Sequence, residues 1–153
     1  MSPRSLVLLA SALAAVASVT SHAGAATIAD GAYMEQSVNS CPGQSHCYLN
    51  YSKIPVGKTL ILTDVSCIAT ADAGVVLTAS RLRRTGSGDL TGTNSIPPVY
   101  TNSFPQNGSH VLQTRTLFIV QPGQSPLIGA SYSAASSSNI LDCTIAGVLK
   151  STP

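Results

Sequence analysis

The stretch Ile54-Pro55-Val56-Gly57-Lys58-Thr59-Leu60-Ile61-Leu62-Thr63-Asp64-Val65-Ser66-Cys67-Ile68 runs from a Pro-x-Gly turn into the strongest strand signal in the chain. Its second part is rich in Leu, Ile, Val and Thr and sustains no apolar spacing of 3.6 residues, so it reads as β-strand rather than helix. Strand side chains alternate between two faces. Ile61, Thr63, Val65, Cys67 and Ala69 therefore share one face, and Leu60, Leu62, Asp64, Ser66 and Ile68 share the other. The first is expected to be the core face, because Asp64 and Ser66 wet the second. Cys67 would then point inward.

Outward from this stretch the same character recurs. Val75 to Arg84, His110 to Val120, Leu127 to Ser133 and Ile140 to Lys150 read as strands. Upstream, Tyr48 to Ile54 alternates, and Thr27 to Val38 is a weaker strand broken by the turn pair Asp30-Gly31. Ile96 to Phe104 contains Pro97 and Pro98 and precedes Pro105, which confines it to a sheet edge. Asn107-Gly108 signals a hairpin, Pro122-Gly123 a second Pro-Gly turn, and Gly86 to Asn94 a long polar loop. The run Leu117-Phe118-Ile119-Val120 predicts a strand end buried on both faces. Seven or eight strands with no convincing helix predict an all-β fold, an antiparallel β-sandwich. A jelly-roll-like topology, with first and last strands as neighbours, is preferred. An immunoglobulin-like arrangement is the alternative, but the chain has no Trp to mark its core.

The chain has 153 residues, a net charge of +2 and only 9% charged residues, against roughly 25% in ordinary soluble domains. Hydroxyls and amides replace charge on the surface, and nothing in the balance points to nucleic acid. Arg4 followed by the apolar run Leu6 to Val19 and small residues reads as a secretory signal, residues 1–25, cleaved after Ala25. Residues 26–153 then form a single domain, secreted or periplasmic, with no further stretch long and apolar enough to be a transmembrane segment.

Export to an oxidising compartment predicts that Cys41, Cys47, Cys67 and Cys143 are paired. Cys41 with Cys47 would close a short loop around Pro42-Gly43, and Cys67 with Cys143 would join two inward-facing positions, the latter beside Leu141, Ile145 and Leu149. On chain entropy these bridges are worth about 2 and about 4 kcal/mol. The rival pairing, Cys47 with Cys67 and Cys41 with Cys143, would follow if Tyr48–Ile54 and Thr59–Ile68 formed a tight hairpin. The spacing lacks paired C-x-x-C motifs, so no metal site and no cofactor is expected.

No nucleophile elbow, phosphate loop or dinucleotide fingerprint is present. Asp64 and Asp142 each lie one position from an inward cysteine, so both could face one outer surface and serve a small extracellular hydrolase or lyase. The plainer reading is two solvated strand residues. Arg81-Leu82-Arg83-Arg84 is the one charge cluster. Its guanidinium forks could hold the carboxylate or phosphate groups of an acidic glycan or lipopolysaccharide; charge that protects an edge strand from pairing is the plainer reading. Among Tyr33, Tyr48, Tyr51, Tyr100 and Tyr132, most rings read as cross-strand packing rather than a sugar platform. His46 reads as a surface residue of the small Cys loop. Asn50-Tyr51-Ser52 and Asn107-Gly108-Ser109 match the glycosylation sequon and would be silent in a bacterial host.

Cys47-Tyr48-Leu49, the turn Ile54-Pro55-Val56-Gly57-Lys58-Thr59-Leu60, Thr63-Asp64-Val65-Ser66-Cys67 and Cys143-Thr144-Ile145-Ala146-Gly147 together resemble uncharacterised exported β-sandwich proteins of Gram-negative bacteria. The resemblance implies secretion and a disulfide-bonded β fold, and it transfers no activity. The function expected is a non-catalytic binding module at the cell envelope or an extracellular surface, with a glycan or protein partner. A hydrolase or lyase and a structural, oligomer-forming subunit are the alternatives. Reductant is expected to lower the melting temperature sharply; an unchanged thermal melt by circular dichroism would show that the cysteines are not structural.

Overall fold

The computed structural model describes residues 22–85, 102–106 and 109–152. They form ten strands: β1 (His22–Ala23), β2 (Thr27–Ala29), β3 (Ala32–Ser40), β4 (Gln44–Asn50), β5 (Lys58–Thr70), β6 (Leu77–Thr85), β7 (Asn102–Gln106), β8 (Ser109–Val120), β9 (Ser125–Ser136) and β10 (Ile140–Ser151). Eight have five residues or more, every pairing is antiparallel, and no helix occurs among the described residues. The large sheet runs β3-β10-β5-β8-β7, with β1 and β2 both adding to the free side of β3 as one interrupted edge strand. The small sheet runs β4-β9-β6. The signal-peptide reading falls mostly on residues 1–21, and the polar loop on 86–94; both lie outside the described residues.

Turn chemistry sets the connections. Asp30 and Gly31 both have positive φ, 49° and 81°, as a two-residue hairpin between β2 and β3 requires. β7 carries Pro105 and pairs with β8 alone, at the edge where a residue lacking an N–H is tolerated. The two Pro-Gly turns adjoin. The N–H of Ile54 donates to the Gln124 carbonyl, and the N–H of Gly123 donates to the Ile54 carbonyl, both at 2.8 Å. Residues 51–57 thereby cross from the small sheet to the large one. β4 and β5 form no hairpin, which removes the geometry the rival cysteine pairing needs. The structure contains Cys41–Cys47 and Cys67–Cys143, the latter joining directly opposed residues of β5 and β10.

The expected face of β5 holds for half its length. Val65, Cys67 and Ala69 are buried, but so are Leu60 and Leu62, while Ile61 and Thr63 turn to the outer side. The cause is a bulge. Between the same two rows of the sheet the chain takes two residue steps in β10 (Gly147 to Ile145), three in β5 (Leu62 to Val65) and four in β8 (Phe118 to Thr114). An odd number of steps reverses the alternation in β5 alone. Gly147 is what makes room. A Cβ there would lie 2.1 Å from the Ile61 carbonyl oxygen and 2.8 Å from Leu62 Cα.

The inward residues of both sheets form one core, in which Leu60, Leu62, Leu112, Phe118, Leu141 and Ile145 of the large sheet meet Leu49, Leu82 and Ile128 of the small one. The end of β8 departs from expectation. Phe118 and Val120 are buried, whereas Leu117 is 77% and Ile119 40% exposed, because among the described residues no second layer covers the large sheet's outer face. One carboxyl lies in the core. Glu35 is 1% exposed and accepts hydrogen bonds from the Tyr33 hydroxyl and from the N–H and hydroxyl of Ser52. It clamps the crossing segment to β3, and its donors meet the requirement that a buried polar group be satisfied. The sequon serine is thus engaged internally, beside a Tyr51 that is itself buried.

Gly147→Ala is expected to lower unfolding free energy by about 2 kcal/mol or more, because backbone atoms rather than a flexible side chain must move. Urea denaturation of the variant beside Ala146→Gly, which keeps that space open, checks the assignment.

Candidate functional site

The arginine cluster divides. On β6, Ser80 and Leu82 are buried, so Arg81 and Arg83 emerge together on the outer face of the small sheet. Arg84 follows the inner parity and donates from Nη1 to the Ile119 carbonyl of β8 at 3.2 Å. It reaches across to the large sheet, whereas Arg81 and Arg83 lie on the small sheet's outer face.

Strand register brings the rest of the site to Arg81 and Arg83. Gly129 on β9 lies opposite Tyr48 of β4 on one side and Arg81 of β6 on the other. The next row holds Asn50, Leu127 and Arg83; the previous one holds His46, Ser131 and Ala79. A hollow of about 260 Å³ opens among His46, Tyr48, Arg81, Arg83, Gly129 and Ser131. Its floor is Gly129. A Cβ there would stand 3.0 Å from Tyr48 Cε1 and 3.1 Å from Cδ1, so the phenol ring lies across the strand where a side chain is missing. Tyr48 remains 48% exposed, leaving an aromatic surface beside two cations. His46 Nδ1 and Ser131 Oγ sit 3.1 Å apart and close one end. Among the described residues neither Arg81 nor Arg83 has a carboxylate within ion-pair distance; the single ion pair there joins Arg115 to Asp64 at 3.8 Å.

Alternation on β4 could have revealed this. Cys47 and Leu49 face inward, which places His46, Tyr48 and Asn50 on the other side. What could not be read is that β9 would lie between β4 and β6 and offer a glycine at the shared row. Tyr33, Tyr51 and Tyr132 are buried packing, as expected of most of the rings. Burial, then the hydrogen bond to Glu35 and its charge, push the Tyr33 phenol well above the ordinary range. Burial and the same carboxylate do so for Tyr51, and burial pushes Tyr132 up to about 12. None of the three is poised to ionise near neutral pH. Tyr100 lies outside the described residues.

Asp64 and Asp142 do share the outer face of the large sheet. Asp64 is opposite Ala146, however, four residues from Asp142 along β10, roughly 13 Å at the rise of a strand. A pair of glycosidase carboxyls stands about 5–10 Å apart. Each also has its own contacts, Asp142 with Gln36 Nε2 at 2.9 Å and Asp64 with the Thr63 hydroxyl at 2.6 Å. Among the described residues no three His, Cys, Asp or Glu side chains converge as metal ligands, and no helix is long and apolar enough to cross a membrane. Compared with protein-family models, curated proteins and solved structures, the chain matches none.

One other acid has a defined electrostatic setting. Asp72 accepts hydrogen bonds from the hydroxyl of Ser138 and from the N–H and hydroxyl of Ser137, and Ser136 stands beside it. These serine donors hold its carboxyl well below the usual carboxylate range. A depressed folded pKa stabilises the fold above the unfolded pKa and loses that contribution as pH falls toward the folded one. Asp72→Asn is therefore expected to melt below wild type at neutral pH, with the gap closing as pH drops below about 4. Paired thermal melts across that range check the sign; a gap independent of pH would mean that the charge plays no part.

Proposed function

We propose that this protein is an exported, non-catalytic β-sandwich of jelly-roll topology whose small-sheet outer face binds an acidic glycan at the cell envelope or an extracellular surface. One observation carries the reading: two guanidinium groups without a carboxylate partner among the described residues converge with an exposed tyrosine ring on a glycine floor. The forks match carboxylate, sulfate or phosphate groups geometrically, and the flat ring offers a surface for the apolar face of a sugar. In a chain with 9% charged residues, two cations side by side with no carboxylate partner among the described residues favour an anionic ligand on this face. Lipopolysaccharide presents the same anionic chemistry and belongs to the ligand class.

The topology reading is supported by strand succession. β3, β4, β5 and β6 alternate between the sheets, β8, β9 and β10 do the same, and the last strand lies between β3 and β5. Export is supported by the apolar N-terminal stretch and by two disulfides, which persist in oxidising compartments. Cleavage after Ala25 would remove β1 and keep β2 as the edge. Membership among the exported Gram-negative sandwich proteins rests on the residues that carry the resemblance and is part of the same proposal.

Calorimetric titration with polyuronate, sulfated glycan and lipopolysaccharide tests it. At least one is expected to bind, with affinity falling as salt rises, about a hundredfold loss in an Arg81→Ala/Arg83→Ala variant, and a loss in Tyr48→Ala that Tyr48→Phe restores. Binding retained by the double variant, or no binding to any of the three, would overturn the assignment.

A further inference from the structure

The large sheet's outer face carries a row of apolar residues that no layer covers among the described residues. Ala32 of β3 lies opposite Val148 of β10, Val148 opposite Ile61 of β5, and Ile61 opposite Ile119 of β8. Ala29 of β2, paired with Ala32, extends the row to a fifth strand. Met34 on the adjoining row is 52% exposed, and Leu117 of β8 is 77% exposed. Exposed apolar residues scattered singly are ordinary, but a contiguous patch across a sheet marks a contact surface.

Charge identifies the occupant. Lys150 stands one row to one side of the Val148–Ile61 pair, opposite Thr59. Asp64 stands one row to the other side, opposite Ala146. Lys150 has no ion-pair partner among the described residues, and the contact Asp64 makes with Arg115 is at 3.8 Å with the arginine 96% exposed. We infer that this face packs against the same face of a second copy, about a two-fold axis that lies in the interface and crosses the strands at the Val148–Ile61 row. Such an axis lays the apolar row on itself and exchanges the flanking rows, so each Lys150 meets Asp64 of the other copy. An isologous contact must be self-complementary in this way, and face-to-face sheets pack about 10 Å apart with their side chains interleaved. Arg115 lies two strands from Lys150 and does not oppose it. A lipid surface would call for a wholly basic rim, which Asp64 interrupts. The inference is independent of the glycan reading; the dimer would leave both small-sheet outer faces exposed on opposite sides.

Sedimentation velocity of the oxidised protein over a wide concentration range tests it. Wild type is expected to form a reversible dimer, and Ile61→Lys, on the sheet surface, to be a folded monomer by circular dichroism. Lys150→Asp and Asp64→Lys should each weaken the dimer about tenfold by placing like charges together, and the double exchange should restore it. A wild type that stays monomeric at every concentration overturns the inference; if that monomer binds anionic lipid vesicles and Ile61→Lys does not, the face serves a membrane instead. A dimer indifferent to Ile61→Lys, or single reversals without effect, overturns it as well.

Discussion

The approach of Gly147 to the Ile61 carbonyl is the contact on which the large sheet depends. Without a side chain at that position β5 can carry its bulge against β10, and the bulge reverses the alternation of β5 halfway along. Two consequences follow at opposite surfaces. Leu60 and Leu62 enter the core beside Val65, Cys67 and Ala69, so one strand fills the interior along its whole length. Ile61 is turned outward into the apolar row with Val148 and Ile119. The increasing step count from β10 to β8 fans the sheet at the same place, and Asp64, Arg115 and Thr114 line the hollow of about 520 Å³ that this opens.

The molecule is two-faced. The small sheet presents arginines, a histidine and an open aromatic ring, whereas the large sheet presents a row of alanine, valine and isoleucine at one end of its outer face and polar groups, among them Gln36 and Asp142, toward the other. Other polar groups are engaged in contacts within the molecule. Glu35 fixes the crossing segment, and Arg84 ties the sheets to one another. Asp72 pins the loop after β5 to the serines between β9 and β10. Asn139, fully buried, donates to the Gln44 carbonyl beside the small disulfide. With so few charges in the chain, those that remain on a surface define it.

The strands were legible because their signals are local. Apolar alternation, Asp30-Gly31, the two Pro-Gly turns and Pro105 at an edge each act within a few residues. The pairing of Arg81 with Arg83 was legible for the same reason, since residues two apart in a strand share a face. Arg84 faces the other way because adjacency in sequence means opposition in a strand, and the partner of its hydrogen bond, 35 residues on, could not be read locally. Leu117 and Ile119 were read as buried because an apolar run does not say whether a second layer exists above it.

Local sequence alone sufficed to read the described residues as β, to place most strand starts and turns, and to point Cys67 and Cys143 inward. Those properties follow from period-two alternation and turn stereochemistry. The folded arrangement was needed to show that Tyr48, Gly129 and Arg81 share a row, that β5 changes phase at Thr63, and that one outer face carries two arginines while the other carries an apolar row. The physical reason is that register, bulges and layer order are set by backbone contacts between strands distant in the chain, and each residue's own neighbours carry no record of them.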